Sequence, residues 1–209
     1  GGVAMRHHQY KPGFSFVSEP VEFDKYTERE LLQYCLGATL YMPGTKDITP
    51  SILNKRLLGL TSMVMCFEDS IREDQLSLAE DNVINVLNTL SEALSSDGID
   101  RIDIPLIFLR VRNNEQFIRF TRRLTEKHTQ ILTGFVFPKF TSVNGYPYLN
   151  HLRSLNETSP SVLYGLPILE SSEIAFEESR QYELSGIKSL LRPYRELVLN
   201  IRVGATDFS

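Results

Sequence analysis

Met63-Val64-Met65-Cys66-Phe67-Glu68-Asp69-Ser70-Ile71-Arg72-Glu73 sets five apolar residues directly against two adjacent carboxylates. So short a continuous apolar run reads as a strand buried on both faces, and the switch to acidic residues marks its C-terminal end. In parallel α/β proteins that end carries the chemistry.

The arrangement recurs along the chain. Leu40 to Met42 runs into Pro43-Gly44-Thr45-Lys46, and Pro105 to Val111 carries Arg110 and Arg112 before Asn113. Gly134 to Phe137 runs into Pro138-Lys139, Gly165 to Leu169 into Glu170, and Leu197 to Val203 into Gly204-Ala205-Thr206-Asp207. The pattern predicts six strands, each finishing in a polar or charged group.

Helical patterns fall between them. Thr27 with Glu30 makes a capping box ahead of Leu31, Leu32 and Cys35, and Thr49-Pro50 reads as an N-cap leading into Ile52, Leu53, Leu57 and Leu58. Leu76, Ala79, Val83, Val86, Leu87, Leu90 and Leu94 form one stripe that stops near Asp97-Gly98. Asn114 is read as the cap of a helix through Phe117, Phe120 and Leu124, Tyr146 to Leu155 as a further helix, and Ser172 as the cap of another through Ala175 and Phe176. Pro193 interrupts a last helical stretch.

Strands alternating with helices mean βαβ units and a parallel sheet. Two closures are open, a (β/α)8 barrel and a doubly wound sheet. No Gly-x-Gly-x-x-Gly occurs, and charged groups end nearly every strand rather than gathering at one switch point, which favours the barrel. A barrel needs about 250 residues, and this chain has 209. The expectation is a C-terminally incomplete barrel over residues 37–209, preceded by an arm and short helix over 1–36; Gly1-Gly2 reads as a cloning scar.

The 42% hydrophobic content supports one core, and the net charge of −4 from mixed residues excludes a nucleic-acid footprint or a basic membrane patch. Cys35 and Cys66 lack metal-type or redox-type spacing, which favours a reducing, cytoplasmic setting. No apolar run reaches the ~20 residues of a membrane span.

Glu170 and Asp207 follow consecutive strands, so a barrel would seat them side by side at one rim, where two carboxylates suit Mg²⁺. Spacing alone leaves helix capping open for both. The Glu68-Asp69 pair needs a compensating positive group or donors: a place near a metal, or a structural pairing with Lys46, Arg110 or backbone amides. Arg110, inside an apolar strand, needs an anion, either a substrate carboxylate or Glu68. Lys139 fits a Schiff-base nucleophile if desolvated, or an ion pair with a rim carboxylate. His7, His8, His128 and His151 form no catalytic grouping.

Taken in order, Leu40-Tyr41-Met42-Pro43-Gly44, Cys66-Phe67-Glu68-Asp69-Ser70, Arg110-Val111, Phe137-Pro138-Lys139, Ile168-Leu169-Glu170-Ser171 and Gly204-Ala205-Thr206-Asp207 resemble the HpcH/HpaI aldolase and citrate lyase β-subunit family. Residues 23–46 are most similar to its bacterial branch found beside tellurium-resistance and stress-response genes. The resemblance implies a (β/α)8 barrel, Mg²⁺ on Glu170 and Asp207, and Arg110 holding a substrate carboxylate with Glu68 and Asp69 near the metal. Lys46, Lys139 and Gly204-Ala205-Thr206 would line the substrate site. It further implies cleavage or formation of a C–C bond beside a carbonyl in a small hydroxy or keto acid or its CoA thioester, in a homo-oligomer. Gly37 and Lys46 stand where the family often has arginine near a CoA-type substrate, which leaves free acid and thioester both open. The family's C-terminal part, which completes the barrel, is not in this chain.

Overall fold

The computed structural model describes residues 39–54, 62–68 and 71–203. The expected helix around Thr27 and Glu30, Cys35, Gly37, Leu57, Leu58, Asp69, Gly204, Ala205, Thr206 and Asp207 lie outside the described residues.

Six parallel strands pair in sequence order: β1 (Thr39–Pro43), β2 (Ser62–Cys66), β3 (Leu106–Arg110), β4 (Leu132–Phe137), β5 (Tyr164–Leu169) and β6 (Arg202–Val203). A flat sheet of that width would hold its outer strands roughly 24 Å apart, five steps of about 4.8 Å. Instead Arg202 Nη1 of β6 donates to Tyr41 Oη of β1 at 3.1 Å. The sheet is therefore curled, as six strands of a TIM barrel must be.

Alternation along each strand divides the core in two. Val64, Leu106, Phe108, Val136, Leu166 and Ile168 fill the concave interior. Met63, Met65, Ile107, Leu109, Phe135 and Phe137 face the helices. Both faces are covered, which is why these strands read as unbroken apolar runs. Gly134 is needed where β4 and β5 approach, because a Cβ there would run into the Tyr164 carbonyl.

The helices are α1 (Thr49–Leu53), α2 (Leu76–Ser95), α3 (Asn114–Thr121), α4 (Glu126–Ile131), α5 (Gly145–Thr158), α6 (Ser172–Ala175) and α7 (Glu177–Leu191). The α2 stripe buries Ala79, Val83, Val86, Leu87 and Leu90, following the sequence pattern. Phe117 of α3 meets the rings of Phe135 and Phe137 at 4.9 and 5.2 Å, and Tyr148 of α5 stacks on Phe137 at 4.6 Å.

Three helix starts fall one residue earlier than the sequence pattern puts them. Asn113, not Asn114, caps α3: residue 113 is extended and its Oδ1 accepts the Gln116 N–H at 2.9 Å. The cap position of α1 falls on Ile48 rather than Thr49, with no side-chain cap bond, while Asp47 Oδ1 accepts the Thr49 N–H at 3.0 Å. The cap position of α6 falls on Ser171 rather than Ser172, and the helix breaks at the extended Phe176 before α7 begins. Leu124 lies past the end of α3, and Thr125 with His128 boxes the start of the separate α4. The last strand, expected over Leu197–Val203, shrinks to Arg202–Val203 plus one bridge from Val198 to Gly165. Asn200 Oδ1 takes the Ile201 N–H at 2.8 Å, removing a donor from the ladder.

Candidate active site

Parallel strands in register bring their C-terminal ends to one rim. Cys66 of β2 is opposite Arg110 of β3, and Arg110 is opposite Val136 of β4. The charged residues that follow these strands therefore converge although up to 102 positions apart in sequence, from Glu68 to Glu170.

Arg110 is the hub. Its Nε donates to Glu68 Oε2 at 3.1 Å, and its Nη2 lies 3.5 Å from Glu170 Oε1. Lys139 Nζ sits 3.4 Å from Glu68 Oε1. Burial works against the Arg110 charge, but the carboxylate of Glu68 above all, with Glu170 and Cys66 nearby, holds the guanidinium above its ordinary pKa. Among the described residues two cations and two anions thus meet: largely buried Arg110 offsets the desolvation of Glu68 and Glu170, while Lys139 reaches Glu68 from solvent.

Lys139 adopts a left-handed backbone, φ 50°, which costs a residue with a Cβ about 1 kcal/mol. Its N–H donates to Glu170 Oε1 at 3.1 Å and its carbonyl accepts from Asn144 Nδ2 at 2.8 Å. The strained turn aims the Lys139 side chain back toward Glu68.

Three of the rim segments are pinned from a neighbouring element. Asn82 of α2 donates through Nδ2 to the carbonyls of Gly44 and Lys46, at 2.6 and 2.7 Å. Arg112 Nη1 donates to the carbonyls of Phe67 and Ile71. Buried Glu183 of α7 accepts from Ser142, through both its backbone N–H and its hydroxyl. Asn82, Arg112, Asn144 and Glu183 were given no role by sequence reasoning. For Arg112 a signal existed, since it is a second arginine two residues past Arg110, just beyond the end of β3.

The structure thus brings together Glu68, Arg110, Lys139 and Glu170. It leaves Lys46 apart: its side chain is exposed and makes no ion pair with another described residue. His128 and His151 are away from the rim; burial is the main reason both are held below the usual histidine range. Tyr148 lies behind the site, its phenol pushed above its usual value by burial and then by the Glu68 charge.

Among the described residues no three His, Cys, Asp or Glu side chains are grouped to hold a metal. Glu170 nevertheless fits one ligand of a hard cation. Its Oε1 takes both contacts given above, while Oε2 accepts no hydrogen bond from a described residue. Among the described residues no helix is long and apolar enough to cross a membrane.

A curled parallel sheet whose charged groups gather beyond the strands' C-terminal ends defines an α/β-barrel enzyme site. Residues 30–209 match the family described as C-C_Bond_Lyase of the TIM-Barrel fold, and the chain belongs to that family of carbon–carbon lyases. A search of curated proteins gave no match.

Proposed function

We propose that the protein is a Mg²⁺-dependent lyase of the HpcH/HpaI aldolase and citrate lyase β type, acting on a small hydroxy acid or keto acid, free or as its CoA thioester. The observation that carries this reading is the convergence of Arg110, Glu68 and Glu170 at the rim of a chain from a C–C lyase family.

In this reading Arg110 anchors the substrate carboxylate. Its 3.5 Å contact with Glu170 is at the limit of a hydrogen bond, so an incoming carboxylate displaces it most readily. Glu68 stays on Nε and keeps the guanidinium fork in plane, and Lys139 shields the other Glu68 oxygen. Glu170, released from Arg110, would join Asp207 in holding the metal, and Asp69 would tune the site. Bound there, Mg²⁺ would supply Lewis-acid stabilisation of the enolate character that develops next to the carbonyl. Lys46 and Gly204-Ala205-Thr206 would contact the rest of the substrate. The setting is a cytoplasmic homo-oligomer, in the bacterial branch linked to tellurium resistance and stress response.

A Schiff-base aldolase using Lys139 is less well supported, because the Lys139 side chain is 67% exposed and ion-paired, the opposite of the desolvation such an amine needs. The test is turnover of oxaloacetate and a panel of hydroxy acids, followed by NMR with Mg²⁺ or with EDTA. The expected result is metal-dependent cleavage that disappears in Glu170→Gln. EDTA-resistant turnover with borohydride trapping at Lys139 would establish the imine route. Tight keto-acid binding with no product from any acid would instead make the protein a metabolite-binding component of a stress-response system.

A further inference from the structure

Arg110 ends β3 and Arg112 lies two residues beyond it, and the two guanidinium groups contact the residues after β2 differently. Arg110 meets the Glu68 side chain. Arg112 ignores side chains and takes backbone: one nitrogen, Nη1, donates to the Phe67 carbonyl at 2.9 Å and to the Ile71 carbonyl at 3.2 Å. Those two carbonyls flank Glu68, whose own carbonyl accepts the Ile71 N–H at 2.7 Å. Cys66 Sγ accepts the Glu68 N–H at 3.3 Å, and Phe67 N–H donates to the Arg110 carbonyl at 2.9 Å.

Arg112 is itself held from behind. Its N–H donates to Gln116 Oε1 at 3.0 Å. Gln116, 2% exposed, donates through Nε2 to Glu80 Oε2 at 2.9 Å, and Arg119 reaches the same oxygen at 2.8 Å. A continuous polar chain thus runs from α2 through α3 to the loop bearing Glu68. A buried carboxylate and a buried amide are costly unless fully satisfied. Here both are satisfied by groups whose placement fixes Arg112.

We propose that Arg112 is the positioning residue for Glu68: it ties the Phe67 and Ile71 carbonyls to one nitrogen so that the Glu68 carboxylate meets Arg110 and Lys139 rather than solvent, presenting the Arg110 fork to a carboxylate ligand. The functional half of this rests on the reading of Arg110 as an acid-binding group. Because both bonds come from one nitrogen, a lysine ammonium can replace them, whereas a methionine of similar length cannot.

The test compares Arg112→Lys and Arg112→Met with the unaltered protein, using hydrogen–deuterium exchange of the peptide spanning 63–75 and calorimetric titration with oxalate in the presence of Mg²⁺. Arg112→Met is expected to exchange faster in that peptide while the 106–110 strand keeps its protection, and to bind oxalate about tenfold more weakly. Arg112→Lys is expected to restore both to near the original values. Unchanged exchange at 63–75 in Arg112→Met, or failure of lysine to restore it, would overturn the proposal. So would equal loss of protection in both peptides, the mark of general destabilisation. If the unaltered protein binds no oxalate while the exchange result holds, the acid-binding reading fails and the loop clamp stands.

Discussion

The four inner strands and the two edge strands are built from similar apolar residues, yet among the described residues the charged side chains that meet at the rim follow or end the inner ones. β2 to β5 are covered on both faces, and their ends deliver Glu68, Arg110, Lys139 and Glu170 within 3.5 Å of one another through successive contacts. At the edges Leu40 and Tyr41 of β1 are 38% and 49% exposed, and Ile201 and Val203 beside or within β6 are 44% and 67% exposed. A single side-chain bond joins Tyr41 to Arg202. Hydrogen-bonded neighbours on both sides fix a strand's register and height. A rim group on an inner strand is therefore placed by the whole sheet, and one at an edge by its own side chain.

The largest expected effect is at the centre of the outer layer. Phe117→Ala removes a fully buried ring packed on Phe135, Phe137, Tyr148 and the edge of His151. Urea unfolding should register a loss of about 3–5 kcal/mol. A loss below 1 kcal/mol would mean that the inner strands are not held by this packing.

Arg110→Met should come next, lowering kcat/KM on the acid substrate by about 100-fold, roughly 3 kcal/mol of charge-assisted hydrogen bonding. A variant with ordinary kinetics would break the link between the rim cluster and function.

A pH effect of intermediate size follows from His128. It is 3% exposed, its Nδ1 accepts the Thr125 N–H, and its Nε2 meets Asn88 Oδ1 at 2.6 Å. Burial, then Lys127 and Arg123, lowers its pKa below 6.5. Between the lowered folded value and the unfolded 6.5 the unfolded chain holds more protons, so stability rises with pH across that window. Thermal scans should therefore show Tm constant at neutral pH and falling as pH drops below 6.5. His128→Gln should make that slope shallower, leaving the contribution of His151, whose pKa burial also lowers, and an unchanged slope would assign the titration elsewhere.

The smallest effect belongs to the edge. Tyr41→Phe removes only the exposed bond to Arg202 and should cost at most about 0.5 kcal/mol. A loss comparable to that of Phe117→Ala would show that this edge contact carries the curl of the sheet.

The sequence already pointed to the central strands because each switches abruptly from apolar to charged residues, a one-dimensional signal of a buried parallel strand meeting a rim. Arg110 was legible for the same reason, as a guanidinium in an apolar run. The pins were not. Asn82 reaches Lys46 across 36 positions, Arg112 reaches Ile71 across 41 and Glu183 reaches Ser142 across 41, and nothing in local spacing marks a polar residue whose partner is a distant backbone carbonyl or amide. Helix starts were read one residue late at Ile48, Asn113 and Ser171, where only backbone geometry decides which of two adjacent residues takes the cap position. The last strand shortened because Asn200 took an amide that a pattern of apolar residues had assigned to the ladder.

The most direct test of the central claim is a crystal soaked with Mg²⁺ and oxalate. The account predicts one oxalate carboxylate within ~3 Å of Arg110, with Glu170 turned from Arg110 onto the metal. Oxalate bound away from Arg110, or a metal that leaves Glu170 on Arg110 and the Lys139 N–H, would contradict it.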